Sequence, residues 1–187
     1  DAPSPEGQRP APLSVSIRRI EFPDAAKGER ILGVTGNETA YIGGARWVTA
    51  AENLFDDDLR SAFASRADQI RVLNRGEPGT PPYVLQVTVT TFEARYAPGA
   101  QNAAPTVVVT ARAQLRTTPE RNSGEGAIRP EQGAAIERTF SISQPAAANR
   151  VSAIVDAFDR ASRDLNAQIA DWTIQSAPAS VRQGVGR

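Results

Sequence analysis

Two neighbouring stretches of apolar–polar alternation constrain the fold of this chain most strongly. In YVLQVTVTTF the apolar residues occupy every second position from Tyr83 to Val89, and TVVVTARAQLR repeats the pattern from Val107 to Leu115. Side chains two positions apart share one face of a strand, so each segment predicts a strand with one apolar face and one Thr/Arg/Gln face. The intervening loop, APGAQNAAP, is of hairpin type and predicts antiparallel neighbours.

Other segments predict further strands. LSVSIRRIEFP alternates from Leu13, IRVLNR begins at Ile70, and AIERTFSIS turns Phe140 and Ile142 inward. The segment RILGVTGNETAYI also has strand character, with a turn signal at Gly36-Asn37. It is either a hairpin or a kinked strand, and the sequence leaves both readings open.

A first amphipathic helix follows the Gly-Gly pair. Apolar residues recur at steps of three and four. They are Trp47, Ala51, Leu54, Phe55, Leu59, Ala62 and Phe63. Thr49 and Glu52 have the spacing of a capping box, and Asp56 and Arg60 are four apart, which predicts an ion pair on the exposed side.

A longer helix ends the folded part of the chain. Its apolar stripe begins after Val151. The stripe comprises Ile154, Val155, Phe158, Ala161, Leu165, Ile169 and Trp172. Asn149 is the expected N-cap, and we expect the helix to end before Pro178.

These elements predict an α+β fold, with a single mixed, largely antiparallel sheet and two amphipathic helices packed on it. The helices lie either both on one face or one on each face. Residues 1–12 are Pro-rich and predict a flexible tether, residues 13–175 a single domain, and residues 176–187 a disordered tail.

The composition removes several kinds of chemistry. The chain has no Cys and no His, so thiol nucleophiles, Ser-His-Asp catalysis and most transition-metal sites are excluded. We expect no cofactor and no metal. Its formal net charge is +0, which gives no general attraction to nucleic acid. Carboxylate chemistry, hard-cation binding or a role without catalysis are the classes that remain.

The Gly-Gly turn and the three consecutive aspartates are the most prominent motifs. Gly43 and Gly44 lack the pattern of a phosphate-binding loop, so we expect a strand-to-helix turn that needs positive φ and places Trp47 against the sheet. The aspartates at 56–58 point about 100° apart on a helix, cannot converge on one ion, and are expected to remain in water. Tyr41 and Arg46 flank the turn and are the candidate partner contacts.

The order of these motifs resembles the ABC-type transport auxiliary lipoprotein family, the PqiC-like outer-membrane component of MCE-type transporters. The resemblance covers roughly residues 13–175. It is carried by the turn residues Tyr41, Arg46 and Trp47, the helix residues Leu54, Phe55 and Leu59, the strand from Leu85 to Phe92, and the last helix from Val151 to Trp172. The family's lipobox cysteine is not in this chain, so the resemblance implies that it lies upstream of Asp1.

The resemblance implies a non-catalytic domain in the periplasm of a Gram-negative bacterium, anchored to the outer membrane through an N-terminal lipid. The domain would assist an ABC system that moves phospholipids or other hydrophobic molecules between the two membranes. Its partners would be an MCE-type periplasmic protein and the ABC permease/ATPase complex, which it would contact alone or as a ring-forming homo-oligomer.

Two other functions remain open from the residues alone. One is a periplasmic hydrolase that uses paired carboxylates, for which Glu21, Glu93 and Glu137 lie in or beside strands. The other is an envelope-assembly module that binds a lipid or glycan in an apolar pocket between the sheet and the Trp47 helix.

Overall fold

The computed structural model describes residues 11–74, 76–100, 102–118 and 135–183, with side chains as far as Ala177. Most of the predicted tether at 1–12 and the last four residues of the predicted tail lie outside this part of the chain. The strands are β1 (Leu13–Ile17), β2 (Arg30–Thr35), β3 (Glu38–Arg46), β4 (Ile70–Val72), β5 (Tyr83–Tyr96), β6 (Thr106–Thr117) and β7 (Ala135–Pro145). The α-helices are α1 (Ala51–Ala64) and α2 (Val151–Gln183), and a 3₁₀ turn spans Asp24–Ala26.

The seven strands form one mixed sheet organised around β5. One edge of β5 pairs antiparallel with β6 over its whole length, and β6 pairs antiparallel with β7. The other edge of β5 is shared, because its first three residues pair in parallel with β1 and its last three pair in parallel with β2. Beyond these, β4 is parallel to β1 and β3 is antiparallel to β2. The predicted fold class and the β5–β6 hairpin are confirmed.

The segment from Arg30 to Arg46 is a hairpin, which settles the choice that the sequence left open. Its turn is at Gly36-Asn37, where Gly36 has φ +58°. Near its far end, Leu32 pairs with Tyr41 while Arg30 pairs with Arg46, so four residues of β3 stand opposite one residue of β2. Such an insertion is a large bulge that bends the strand.

Both helices pack on the same face of the sheet. The inward residues of β5 are buried, whereas the alternate residues Gln86 and Thr88 are only half-buried and Thr90 is exposed. A helix on that second face would cover these side chains. The helices also contact each other, and α2 packs on β6 and β7. The second face of the sheet is therefore open to solvent, as the Thr/Arg/Gln pattern predicted.

Helix α1 buries the predicted stripe but begins differently from the prediction. Ala51, Phe55, Leu59 and Phe63 are buried on the core side, while Leu54 is partly buried. The predicted capping box is wrong: the N-cap residue makes no side-chain hydrogen bond. Gly28 makes the hydrogen bonds at the start of α1 that the capping box was expected to make. The Gly28 N–H donates to Glu52 Oε2 at 2.9 Å, and the Gly28 carbonyl accepts from the Ala51 N–H at 2.9 Å.

Helix α2 extends further than predicted. It continues through Pro178 to Gln183, so the boundary of the tail at residue 176 is wrong for residues 176–183. The Tyr83 hydroxyl donates to the Ala177 carbonyl at 2.7 Å, and Ala177 is fully buried. Proline removes one backbone hydrogen-bond donor from a helix, but it does not prevent neighbouring residues from packing. The contact between β5 and α2 therefore fixes the helix at the point where the sequence pattern predicted that it would end.

An aromatic cluster lies where the hairpin, β5 and α2 meet. Trp47 packs edge-on against Phe158 with ring centroids 5.1 Å apart, and Phe92 lies 4.7 Å from Phe158 and 6.0 Å from Trp47. Phe22 extends the cluster to Phe55 of α1. Aromatic pairs at these separations add to the stabilisation from burial alone. The prediction that Trp47 packs down onto the sheet is confirmed.

Trp47→Ala should lower the free energy of unfolding by about 3–5 kcal/mol, because it leaves a cavity between β5 and α2. The matched control is Val48→Ala at the next residue, whose side chain is 94% exposed; it should change stability by less than about 0.5 kcal/mol. Urea denaturation followed by circular dichroism measures both. Similar losses for the two variants would contradict the assignment of Trp47 to the core.

Candidate partner-binding surface

The connection from β3 to α1 forms a sharp corner that is held at both ends. The Trp47 N–H donates to the Glu29 carbonyl at 2.7 Å, and the Ala51 N–H donates to the Gly28 carbonyl at 2.9 Å. Between these bonds the chain directs Trp47 into the core and leaves Val48 in solvent. A large apolar side chain is thus presented at a corner whose backbone is fixed.

The Gly-Gly pair lies inside β3 and does not form the turn into the helix. The predicted strand-to-helix turn is therefore wrong in position, because β3 continues to Arg46. The predicted need for positive φ is confirmed at Gly44, where φ is +69°, and it arises from the bulge. The chain changes direction at residues 47–50, between the end of β3 and the start of α1, and not at the Gly-Gly pair.

Tyr41 is held by two contacts. Its hydroxyl donates to the Ala25 carbonyl at 3.0 Å, and the guanidinium carbon of Arg30 lies 3.8 Å from the centre of its ring. A cation at this distance is attracted to the face of the ring. Tyr41 is 39% exposed, so part of its ring remains in contact with solvent.

Arg46 is the less constrained of the two candidate contacts. Its side chain is 75% exposed, and its nearest acidic partner is Glu29, with Nη1 3.9 Å from Oε2. That distance is too long for a hydrogen bond, and an exposed pair of this kind contributes little to stability. The side chains of the two residues contact different parts of the segment 24–30: Tyr41 contacts the Ala25 carbonyl and Arg30, and Arg46 lies near Glu29. Their role as partner contacts stays a prediction.

A shallow groove of about 380 Å³ lies beside Tyr41. Gly33 lines this groove, and a Cβ added there would lie 3.2 Å from the Ala40 carbonyl oxygen, 3.5 Å from the Tyr96 ring and 3.6 Å from Ile42. The Tyr96 hydroxyl donates to Asn149 Oδ1 at 3.3 Å, and burial raises the pKa of Tyr96. Sequence reasoning missed Tyr96 because a bulge after Val89 shifts the apolar–polar alternation of β5 by one residue. An alternation counted again from Phe92 would have placed Tyr96 on the same face as Phe92.

The three aspartates have three different environments. Asp56 Oδ2 accepts from Arg60 Nε at 2.7 Å, as predicted, and Asp57 is exposed. Asp56 and Asp58 are both half-buried, so the expectation that all three aspartates remain in water is wrong for these two residues. Burial, followed by the negative charge of Asp159, raises the pKa of Asp58, and Arg163 opposes this shift.

The arrangement offers little to carboxylate catalysis. No carboxylate in the described part of the chain is buried, and no group of three acidic, His or Cys residues there could hold a metal ion. The glutamates that the hydrolase hypothesis required are engaged separately. Glu21 accepts from Thr88, Glu93 pairs with Arg95, and Glu137 lies near Arg112.

The chain is thus an α+β domain with an exposed corner that is held by two backbone hydrogen bonds. The chain belongs to the family of ABC-type transport auxiliary lipoprotein components, whose family model matches residues 1–170. The resemblance seen in the sequence is thereby confirmed. The structure is similar to that of protein XCC0632 from Xanthomonas campestris, with 19% identity, a TM-score of 0.73, and coverage of 94% of this chain and 93% of that chain.

A second solved structure, of an uncharacterized protein, has 18% identity and a TM-score of 0.65, with coverage of 88% of this chain and 95% of the other. At these identities the similarity establishes the fold alone. The comparison with curated protein sequences gives no match. Within the described residues, no helix combines the length and apolar character needed to cross a membrane.

The neighbouring glycines provide a test of the bulge. Gly44→Ala should lower stability by about 1–2 kcal/mol, because an L-residue is strained at positive φ. Gly43→Ala is the matched control: its φ is not positive, and an added Cβ would meet nothing within 4 Å at either position. Thermal and urea unfolding of both variants measure the difference. Equal stabilities would mean that the bulge does not impose this conformation.

Asp58→Asn should raise the free energy of unfolding at pH 7 by a few tenths of a kcal/mol and at most about 1 kcal/mol. The gain is small because Asp58 is only half-buried and solvent screens its charge. Because the pKa of Asp58 is raised in the folded state, ionisation opposes folding above that raised pKa. The advantage of asparagine should therefore shrink as the pH falls, and vanish below the ordinary value of 3.8.

Asp57→Asn, one residue earlier and exposed, should show no such pH-dependent gain. Urea midpoints measured from pH 3 to pH 7 compare the two variants. A gain for Asp58→Asn that persists unchanged at pH 3 would show that charge burial is not its cause.

Proposed function

We propose that this chain is a non-catalytic accessory subunit of an MCE-type ABC transporter that moves phospholipids or other hydrophobic molecules between the inner and outer membranes. It acts in the periplasm, anchored to the outer membrane by a lipid on a cysteine that precedes this sequence. It binds an MCE-type periplasmic protein, and through that protein it associates with the permease/ATPase complex. Assembly into a homo-oligomeric ring is part of the same proposal.

The observation that carries this proposal is the match of the auxiliary lipoprotein family over residues 1–170. The absence of buried carboxylates among the described residues supports a role in binding over a role in catalysis. A periplasmic hydrolase would need paired acids in an enclosed site.

The corner after β3 is the surface that we assign to docking. Val48 is 94% exposed although its neighbour Trp47 is anchored in the core, and Arg46 leaves its guanidinium largely free. Interfaces are enriched in aromatic residues and arginine, and a surface that is already ordered before binding loses less conformational entropy on association. Tyr41 lies on the same strand and adds an aromatic edge.

Site-specific cross-linking in the bacterial envelope tests the docking surface. A photoreactive phenylalanine derivative at Val48 of the full-length, lipid-anchored protein should give a cross-link to an MCE-type or permease component, identified by mass spectrometry. The same probe at Thr90, an exposed residue on the open face of the sheet, is the control. It should give no such product.

Tyr41→Ala with Arg46→Glu should reduce the yield of the Val48 cross-link by about tenfold, which corresponds to a loss of about 1.4 kcal/mol of binding free energy. Circular dichroism of the double variant verifies that it remains folded. Cross-links from Val48 that contain no transporter component, or that appear equally from Thr90, would overturn the proposal.

A further inference from the structure

A second and larger groove, of about 1230 Å³, opens at the carboxyl ends of β1 and β4. These two strands are parallel neighbours, and their chains leave in different directions. After Ile17 the chain runs on beside β5, while after Val72 it enters the loop that leads back to the start of β5. Crevices at the carboxyl ends of diverging parallel strands are common ligand sites in sheets with parallel strands. Helix α1 forms the opposite side of the groove.

The wall formed by the exit of β1 is basic. Arg18 and Arg19 both line the groove, both are exposed, and neither has an ion-pair or side-chain hydrogen-bond partner among the described residues. Their backbone is fixed, because the Arg18 N–H donates to the Leu85 carbonyl at 2.9 Å and the Arg19 carbonyl accepts from the Gln86 side chain at 3.2 Å. Arginine is suited to bidentate binding of phosphate.

The wall formed by α1 carries two carboxylates, with Arg60 of the same helix beside them. Glu52 and Asp56 face the groove, and each uses one carboxylate oxygen inside the protein, Glu52 with the Gly28 N–H and Asp56 with Arg60. The second oxygen of each has no partner among the described residues. These contacts orient the two carboxylates and leave one oxygen of each able to accept a hydrogen bond from a ligand.

Among the described residues, the charges that line the groove are balanced, and this limits the class of ligand it can attract. The arginines are Arg18, Arg19 and Arg60, and the acids are Glu52, Asp56 and Glu77, whose carboxylate is bound by Arg71 and Asn74. A simple anion gains no net attraction from such a set, whereas a molecule with separated opposite charges matches both walls.

We propose that this groove binds a zwitterionic phosphate ester of the phosphoethanolamine type. Its phosphate lies against Arg18 and Arg19, and its ammonium lies against Glu52 and Asp56 of α1. The ester is either a soluble compound or the headgroup of a lipid, and both share this chemistry. The inference adds a ligand site to a domain whose proposed function needs only protein contacts, so either proposal can fail without the other.

Titration of the 187-residue chain, followed by NMR chemical shifts, tests the site. Glycerophosphoethanolamine should bind at least about tenfold more tightly than glycerol 3-phosphate or ethanolamine, because only the zwitterion uses both walls. Dihexanoyl phosphatidylethanolamine below its micelle concentration distinguishes the sources. Tighter binding than the soluble ester identifies a lipid headgroup, and equal binding identifies the free ester.

Paired variants locate the two charges. Arg18→Ala with Arg19→Ala should weaken binding at least about tenfold, whereas Arg160→Ala, an exposed arginine on α2 outside the groove, should not. Asp56→Asn should weaken binding of glycerophosphoethanolamine but not of glycerol 3-phosphate, and the exposed neighbour Asp57→Asn should change neither. Urea unfolding confirms that each variant is folded.

Three results would overturn the inference. The first is no detectable binding of glycerophosphoethanolamine at about 1 mM, a dissociation constant that corresponds to a binding free energy of about 4 kcal/mol. The second is equal affinity for glycerophosphoethanolamine and for glycerol 3-phosphate. The third is that the double variant Arg18→Ala with Arg19→Ala and the variant Arg160→Ala have equal effects while both remain folded.

Discussion

The packing of Trp47 against Phe92 and Phe158 is the contact on which the rest of the structure depends. These three rings come from the end of the hairpin, the central strand and the long helix, so one cluster fixes elements that are far apart in sequence. Loss of the indole would leave a cavity at the junction of all three elements, and close-packed interiors refill such cavities only in part. The position of the exposed corner at Val48 follows from this anchor, because its neighbour Trp47 cannot leave the core.

The two proposed sites lie beside different neighbours of the long central strand β5. One of its edges is shared by β1 and β2, so the sheet divides on that side into two pairs of strands. The pair with β2 carries the hairpin and the proposed docking corner. The pair with β1 ends in the charged groove. A single strand long enough to pair with two neighbours therefore joins the proposed docking corner and the proposed ligand groove in one sheet.

Sequence reasoning succeeded where a residue's role depends on its neighbours along the chain. Alternation located β5 and β6, and the helical stripes found the buried faces of α1 and α2. It failed where a distant residue supplied the missing group. Gly28 satisfies the start of α1 in place of the expected capping box, and Tyr83 supports Ala177 beyond the expected end of α2. Arg18 and Arg19 carried no signal at all, because an unpaired arginine looks the same in sequence as one held in an ion pair.

The sequence by itself determined the fold class, the apolar faces, the lack of thiol and imidazole chemistry and, through the family, the association with ABC-type transport. Periodicity and composition are local properties, and burial of an apolar face follows from them. The tertiary structure alone decided that both helices lie on one face, that Gly44 lies in a bulge of β3, and that Arg18 and Arg19 line the same groove as Glu52 and Asp56 of α1. Those outcomes depend on contacts between residues far apart along the chain, and a single sequence carries no record of which distant groups will meet.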